Sequence, residues 1–156
     1  MGCDIHMYVE YRIQRYNKPA QWCDGNLYEV NKFYEMDPDD DEPKYRKVSL
    51  TNERRSYGLF GLLAGVRDYG IKPIVSPRGF PDDASKSITD EYNSWGRDAH
   101  TASWLTLAEL MNAARSHPDL LNNLVAELQE YFNRLFPNPS PLITQNELRI
   151  VFWFDN

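Results

Sequence analysis

The sequence predicts a single α+β domain: an antiparallel sheet that includes an amino-terminal hairpin and a carboxy-terminal strand, flanked by about three helices. Three observations carry the prediction. Residues 3–13 alternate, with Cys3, Ile5, Met7, Val9, Tyr11 and Ile13 on one face and Asp4, His6, Tyr8, Glu10 and Arg12 on the other. Period two over this length marks a half-buried strand. Leu148 to Phe154 is a near-continuous apolar run, the pattern of a central strand covered on both faces. Helical patterns fill the interval, and strands at both ends with helices between them make an α+β fold. The last strand is expected beside the first.

In chain order, Asn17-Lys18-Pro19 reads as a turn. Trp22 to Val30 reads as the return strand, interrupted at Asp24-Gly25. In such a hairpin Cys23 faces a residue near Ile13 and Cys3 lies far up the strand, beyond the roughly 7 Å that a disulfide spans. Two free thiols and a reducing, cytoplasmic location are expected. Met1-Gly2-Cys3 invites a lipid anchor, but His6 stands where myristoylation prefers Ser or Thr. Residues 35–43 hold six carboxylates and two prolines, an acidic solvent-exposed loop. It lacks the twelve-residue spacing and central glycine of a calcium loop.

Asn52 is an N-cap for a helix over 53–67, with Leu59, Phe60, Leu62, Leu63 and Val66 at helical spacing. Gly58, Gly61 and Gly65 let another backbone approach it, and Gly70 ends it. Residues 71–97 read as a long ordered loop. It holds a short edge strand at Ile71, Ile74 and Val75 and a turn of helix near Ser87–Trp95. Thr106 and Glu109 form a capping box ahead of Leu107, Leu110, Met111 and Ala114. Pro118 opens a helix whose stripe, Leu121, Leu124, Val125, Leu128, Phe132 and Leu135, runs to the prolines at 137, 139 and 141.

Of 156 residues, 42% are apolar, enough to bury a core. Seventeen Lys and Arg face twenty-three Asp and Glu, a net charge of −6. A basic surface is therefore lacking, and bulk nucleic-acid binding is not expected. No apolar run approaches the roughly 20 residues of a membrane-spanning helix, and no basic-then-apolar leader opens the chain.

Two Asp-x-His pairs carry the chemistry. Asp4 and His6 project together from the first strand, and Asp98 and His100 precede the helix capped at Thr106. Imidazole and carboxylate are ligands for Zn, Mn or Fe. Converging, the pairs would hold one ion or two and activate water for hydrolysis. A metal-free acid–base site built from the same residues stays open beside this, as do unrelated surface positions. Arg78, beside Gly79 in a proline-rich loop, suits a guanidinium fork for phosphate or carboxylate. Pairing with Asp82, Asp83 or the acidic loop is the alternative. Arg67 and Tyr57 on the glycine-bearing helix, Trp95 and Ser103 complete the candidate substrate contacts, while Arg54 and Arg55 read as ion-paired surface residues and His117 as a helix end. Aromatics in such a domain default to core. No Walker loop, Gly-x-Gly-x-x-Gly, zinc-finger quartet or Gly-x-Ser-x-Gly elbow occurs.

Several blocks resemble an uncharacterised family of small bacteriophage and bacterial proteins. They are Met1 to His6, Tyr57 to Arg67, Arg78 to Ser85, Trp95 to Leu107 and Ile150 to Asn156. They cover under half the chain, spread along its length. The resemblance implies a phage or bacterial origin, with Asp4, His6, Arg78, Asp98 and His100 in shared blocks and the segment 35–43 outside them. The leading expectation is a metal-assisted hydrolase of a phosphorylated or nucleotide-like small molecule, acting in the cytoplasm of the host. Its site is a cleft lined by the polar face of the first strand, the Arg78 loop and residues 98–103. The alternative is a non-catalytic, phage-encoded protein that captures a host protein or a signalling nucleotide, a reading the acidic loop suits.

Overall fold

The computed structural model describes residues 2–37, 41–50, 55–67, 70–138 and 140–156. Two strands, β1 (Asp4–Ile13) and β2 (Gln21–Asp24), form the hairpin, with Asn17 in the left-handed region at the turn. Cys23 pairs with Tyr11, two residues short of the expected position, and both cysteines are free thiols. The interruption at Asp24-Gly25 is a change of sheet. After it, β3 (Tyr28–Val30) leaves β1, gives way to the short helix α1 (Lys32–Met36) and pairs antiparallel with β4 (Tyr45–Lys47). The sequence reading lacked α1. Five residues hold too little periodicity to register, and Asn31 makes the helix by capping Phe33 N–H.

The next helix, α2 (Tyr57–Ala64), is shorter than expected. Ser56 caps it by accepting from Leu59 N–H, and Gly65 at φ 70° ends it. The expected cap, Asn52, and Arg54 lie outside the described residues. At Gly58 the close neighbour is a side chain and not the expected backbone: an added Cβ would stand 3.1 Å from Leu120 Cδ2. Ile71, Ile74 and Val75 form no strand; they pack against the core as loop. The turn of helix near 87–95 is a full helix, α3 (Lys86–Trp95).

A strand the sequence reading missed follows: β5 (His100–Thr106). Its small and hydroxylic residues mask the alternation. The capping box then opens α4 (Leu107–Ala114), and Pro118 opens α5 (Pro118–Leu135), both as expected. The final strand, β6 (Leu148–Asp155), is central and lies antiparallel beside β1. The sheet order is β2-β1-β6-β5, antiparallel throughout, and five helices accompany it among the described residues.

Seven of the eight residues of β6 are buried because both faces of the sheet are covered. On one face Ile5, Met7, Val9, Ile150, Phe152 and Phe154 pack against α2, α4 and α5. On the other, Tyr8, Val151 and Trp153 pack against Ile88, with Tyr92 and Trp95 beside them. These three α3 residues, at i, i+4 and i+7, form one stripe. Each apolar side chain so buried contributes about 1.5–3 kcal/mol before ordering costs.

Candidate functional site

The polar face of β1 is where the sequence put its chemistry, and α3 fills the hollow expected there. The hairpin and the return of β6 do bring the two Asp-x-His segments into one sheet, with β6 between β1 and β5. Register then separates them. His6 pairs with Trp153 and His100 with Phe154. Neighbouring residues of a strand face opposite sides, so the two imidazoles are on opposite faces of strands about 10 Å apart. One ion needs both nitrogens within about 2.1 Å of it, so this sheet does not fit an ion shared by the pairs.

His6 Nε2 lies 3.2 Å from Asp155 Oδ2, and its ring packs on Trp95 with centroids 3.9 Å apart and the planes tilted by 35°. Asp4, half-exposed, receives a two-pronged contact from Arg55, Nε to Oδ1 at 2.6 Å and Nη2 to Oδ2 at 3.0 Å. Those hydrogen bonds hold its carboxyl below the ordinary range. Asp98 sits exposed in a 3-10 turn, Gly96–Asp98. His100 stacks on Phe154, its Nδ1 2.9 Å from Thr101 Oγ1, and its buried Nε2 has no hydrogen-bond partner among the described residues. Thr101 takes φ 51° in a bulge between His100 and Ser103, a costly conformation for a β-branched residue. Among the described residues no group of three or more His, Cys, Asp or Glu stands ready for a metal ion.

The substrate contacts are likewise occupied. Arg78 donates Nη1 to Trp104 O at 3.1 Å and grips Glu109 with both terminal nitrogens, while its plane lies 4.2 Å over the Trp104 ring. It is an ion-paired staple between its loop and the first turn of α4, and its carboxylate is Glu109 rather than Asp82 or Asp83. Ser103 is fully buried and accepts from Arg78 N–H. Trp95 is committed to His6. Tyr57 opens α2 edge-on to Phe60, and Arg67 lies beyond that helix at φ 52°, beside the buried Cys3. Burial pushes the Cys3 thiol up, with the Arg67 guanidinium opposing.

Two features lay beyond the sequence reading. The first is a stack of alternating arginine and tryptophan across the same sheet face. Arg12 lies 4.9 Å over Trp22, Arg149 lies 4.0 Å from Trp22 and 5.4 Å from Trp104, and Arg78 lies 4.2 Å from Trp104. Arg149, 2% exposed, bonds Asp83 at 2.9 Å and stands 3.5 Å from Glu10, which is fully buried and also accepts from Ser85 N–H. Burial pushes the Glu10 carboxyl up, against the pull of Arg149. A cleft of about 460 Å³ opens beside this stack, lined by Arg12, Trp22, Asp83, Ser85 and Lys86 among others. Its cations have their own carboxylates, Glu147 for Arg12 and Asp90 for Lys86, and its Asp83 is held by Arg149.

The second feature is the unit made by β3, α1 and β4. Of nine large apolar side chains exposed among the described residues, five come from it, Tyr28, Val30, Phe33, Met36 and Tyr45, and a sixth, Leu27, immediately precedes it. Val30 and Tyr45 are a cross-strand pair, and Phe33 and Met36 share a helix stripe at i, i+3. Phe33 is 62% and Met36 81% exposed. The backbone beneath them is held firmly. Buried Asn31 donates to Glu42 Oε2 and to Pro43 O, each at 3.0 Å. Lys47 reaches Glu91, and Tyr28 O–H meets Asp24 Oδ2 and Ser87. Although burial works against it, the hydrogen bonds from Tyr28, Asn26 and Ser87 leave the Asp24 carboxyl below its usual range. Phe33 and Met36 at i, i+3 with no third apolar position were the one signal in the sequence for this surface.

No family model, curated protein or solved structure matches the chain. No helix among the described residues is long and apolar enough to cross a membrane.

Proposed function

We propose that this chain is a non-catalytic binding protein that captures another protein through the face formed by β3, α1 and β4. The observation that carries the reading is the crowding of exposed Leu27, Tyr28, Val30, Phe33, Met36 and Tyr45 onto one short stretch. Isolated apolar side chains on a surface need no explanation, whereas a cluster rimmed by polar groups is the composition of an interaction site. Aromatic residues and Met are the types that carry interface energy. The Asn31, Lys47 and Tyr28 anchors favour binding, because an ordered face loses little freedom on association. A hydrolase using Asp4, His6, Asp98 and His100 gains no support from a sheet that turns its histidines to opposite faces.

The test is affinity capture from cell lysate by the tagged chain and by Phe33→Ser/Met36→Ser, beside turnover of a nucleotide panel. Stoichiometric capture of a protein that the double variant loses supports the reading. Product formation that His100→Ala abolishes would overturn it in favour of the enzyme.

A further inference from the structure

We propose that the groove between the β1–β2 turn and residues 140–147 binds a small amphipathic monocarboxylate, an apolar chain ending in one carboxylate. The site stands apart from the docking face and does not depend on it. Three of the nine exposed large apolar side chains lie outside that face, Tyr16, Met111 and Leu142. Two of them, Tyr16 at 92% and Leu142 at 87%, line this groove. Ile13 and Ile143 line it too, and they pack against the core. The groove spans about 810 Å³, within the roughly 300–1,000 Å³ of small-molecule sites. Its walls are tied by their own turns. Lys18 N–H donates to Arg15 O at 3.0 Å, Ile143 N–H to Ser140 O at 2.9 Å and Glu147 N–H to Thr144 O at 2.9 Å. An ordered groove loses little freedom when it takes a ligand.

Charge sets the head group. Residues 11–23 hold Arg12, Arg15 and Lys18 and no carboxylate, and residues 136–146 hold no charged side chain. Glu147 is the one carboxylate of the lining. Its Oε2 accepts from Thr144 N–H at 2.7 Å and from the Thr144 hydroxyl at 2.9 Å, and its Oε1 lies 3.4 Å from Arg12. Arg15, exposed in the same lining, has no carboxylate partner among the described residues. The Tyr11 phenol near it is pushed up by burial and so carries no charge at neutral pH. With Arg12 matched by Glu147, one lining guanidinium stays open to one carboxylate. An anionic membrane fits less well, because the chain as a whole carries −6 and is repelled by it.

The probe is octanoate, with octanol and octyltrimethylammonium as chain-matched controls, each titrated into the full chain and followed by backbone amide shifts. Octanoate should saturate, with shifts confined to residues 12–20 and 140–147, and bind about tenfold more tightly than either control. Hexanoate should bind about two- to fourfold more weakly for each methylene removed. Arg15→Gln should cost octanoate about tenfold and leave octanol unchanged, whereas Leu142→Ser should weaken both. Both side chains are exposed, so neither substitution disturbs the fold. Equal binding of the three probes, or octanoate binding indifferent to Arg15, overturns the carboxylate site. Shifts elsewhere on the chain, or none short of micelle formation, overturn it as well. Capture by phosphatidylglycerol vesicles that Arg15→Gln abolishes, with no binding of octanoate, overturns the small-molecule reading and assigns the surface to a membrane.

Discussion

Cutting the arginine–tryptophan stack at its centre tests how this sheet face is held. Arg149→Ala removes the buried cation that faces Glu10 and leaves a carboxylate at 0% exposure with Ser85 N–H as its remaining partner. Breaking a buried pair from one side costs about 3–5 kcal/mol. Losing the guanidinium from between Trp22 and Trp104 adds to that. Against a total stability of about 5–15 kcal/mol, the variant stands near the edge of folding. At about 2–4 °C per kcal/mol for a domain of this size, the pair alone lowers Tm by about 6–20 °C. Replacing both partners, as Glu10→Met/Arg149→Met, removes the charge instead of stranding it and should stay within about 1–2 kcal/mol of the parent. Urea unfolding followed by circular dichroism reads all three proteins. The penalty of Arg149→Ala also depends on pH. Burial raises the Glu10 carboxyl, so the folded state holds that proton more tightly than the unfolded chain does. Its contribution is therefore fullest below the ordinary carboxylate range and fades as pH rises through the folded value. The single variant should be least damaged in acid and most damaged at alkaline pH. A loss under about 1 kcal/mol, or a double variant as weak as the single one, would refute the reasoning.

Other outcomes follow from the same geometry. Thr106→Ala removes the acceptor for Glu109 N–H and should cost about 0.5–2 kcal/mol, read in the same urea melts. Asp24 and Glu109 have carboxyls held below their usual range despite burial, Asp24 by Tyr28 and Asn26 and Glu109 by Arg78 and Thr106. The stability they contribute is present above the ordinary carboxylate values and lost as pH falls through the folded ones. A Tm–pH profile should therefore flatten on its acid limb in Asp24→Asn and Glu109→Gln. Gly65→Ala forces a side chain into φ 70° and should cost about 1 kcal/mol. Arg55→Ala, cutting an exposed pair, should leave Tm in high salt unchanged while raising the Asp4 titration midpoint seen by NMR.

The legible parts of this fold are those where one residue decides the local backbone. The Thr106 capping box, Pro118 at the first position of α5 and the alternation of β1 all read directly, because cap, ring and pleat act within a few residues. β5 was hidden since Ser103 and the bulged Thr101 break its pattern, and its strand identity comes from β6 alone. Whether the two Asp-x-His pairs converge turns on a point that no local pattern holds. Asp4 and His6 do share a face, but which face His100 takes is set by its register against Phe154, a pairing 54 residues away in the chain. The sandwiched Arg149 was read simply as part of an apolar run. Its counter-charge, Glu10, comes from the polar side of a distant strand, and the tryptophans that flank it come from β2 and β5.

Beyond its four residues β2 leaves the outer rim of β1 open, and side chains finish what the strand does not. Asn26 returns both halves of its amide to Val9, Oδ1 accepting from N–H at 2.7 Å and Nδ2 donating to the carbonyl at 3.1 Å. Ser49 Oγ and Leu50 N–H do the same for Met7. A foreign strand approaching this margin meets peptide groups already taken, so growth of the sheet from molecule to molecule is barred there. Asn26→Leu would uncover the Val9 N–H alone, since Gly25 N–H still holds the Val9 carbonyl at 2.9 Å and Met7 stays covered, so the margin is sealed twice over.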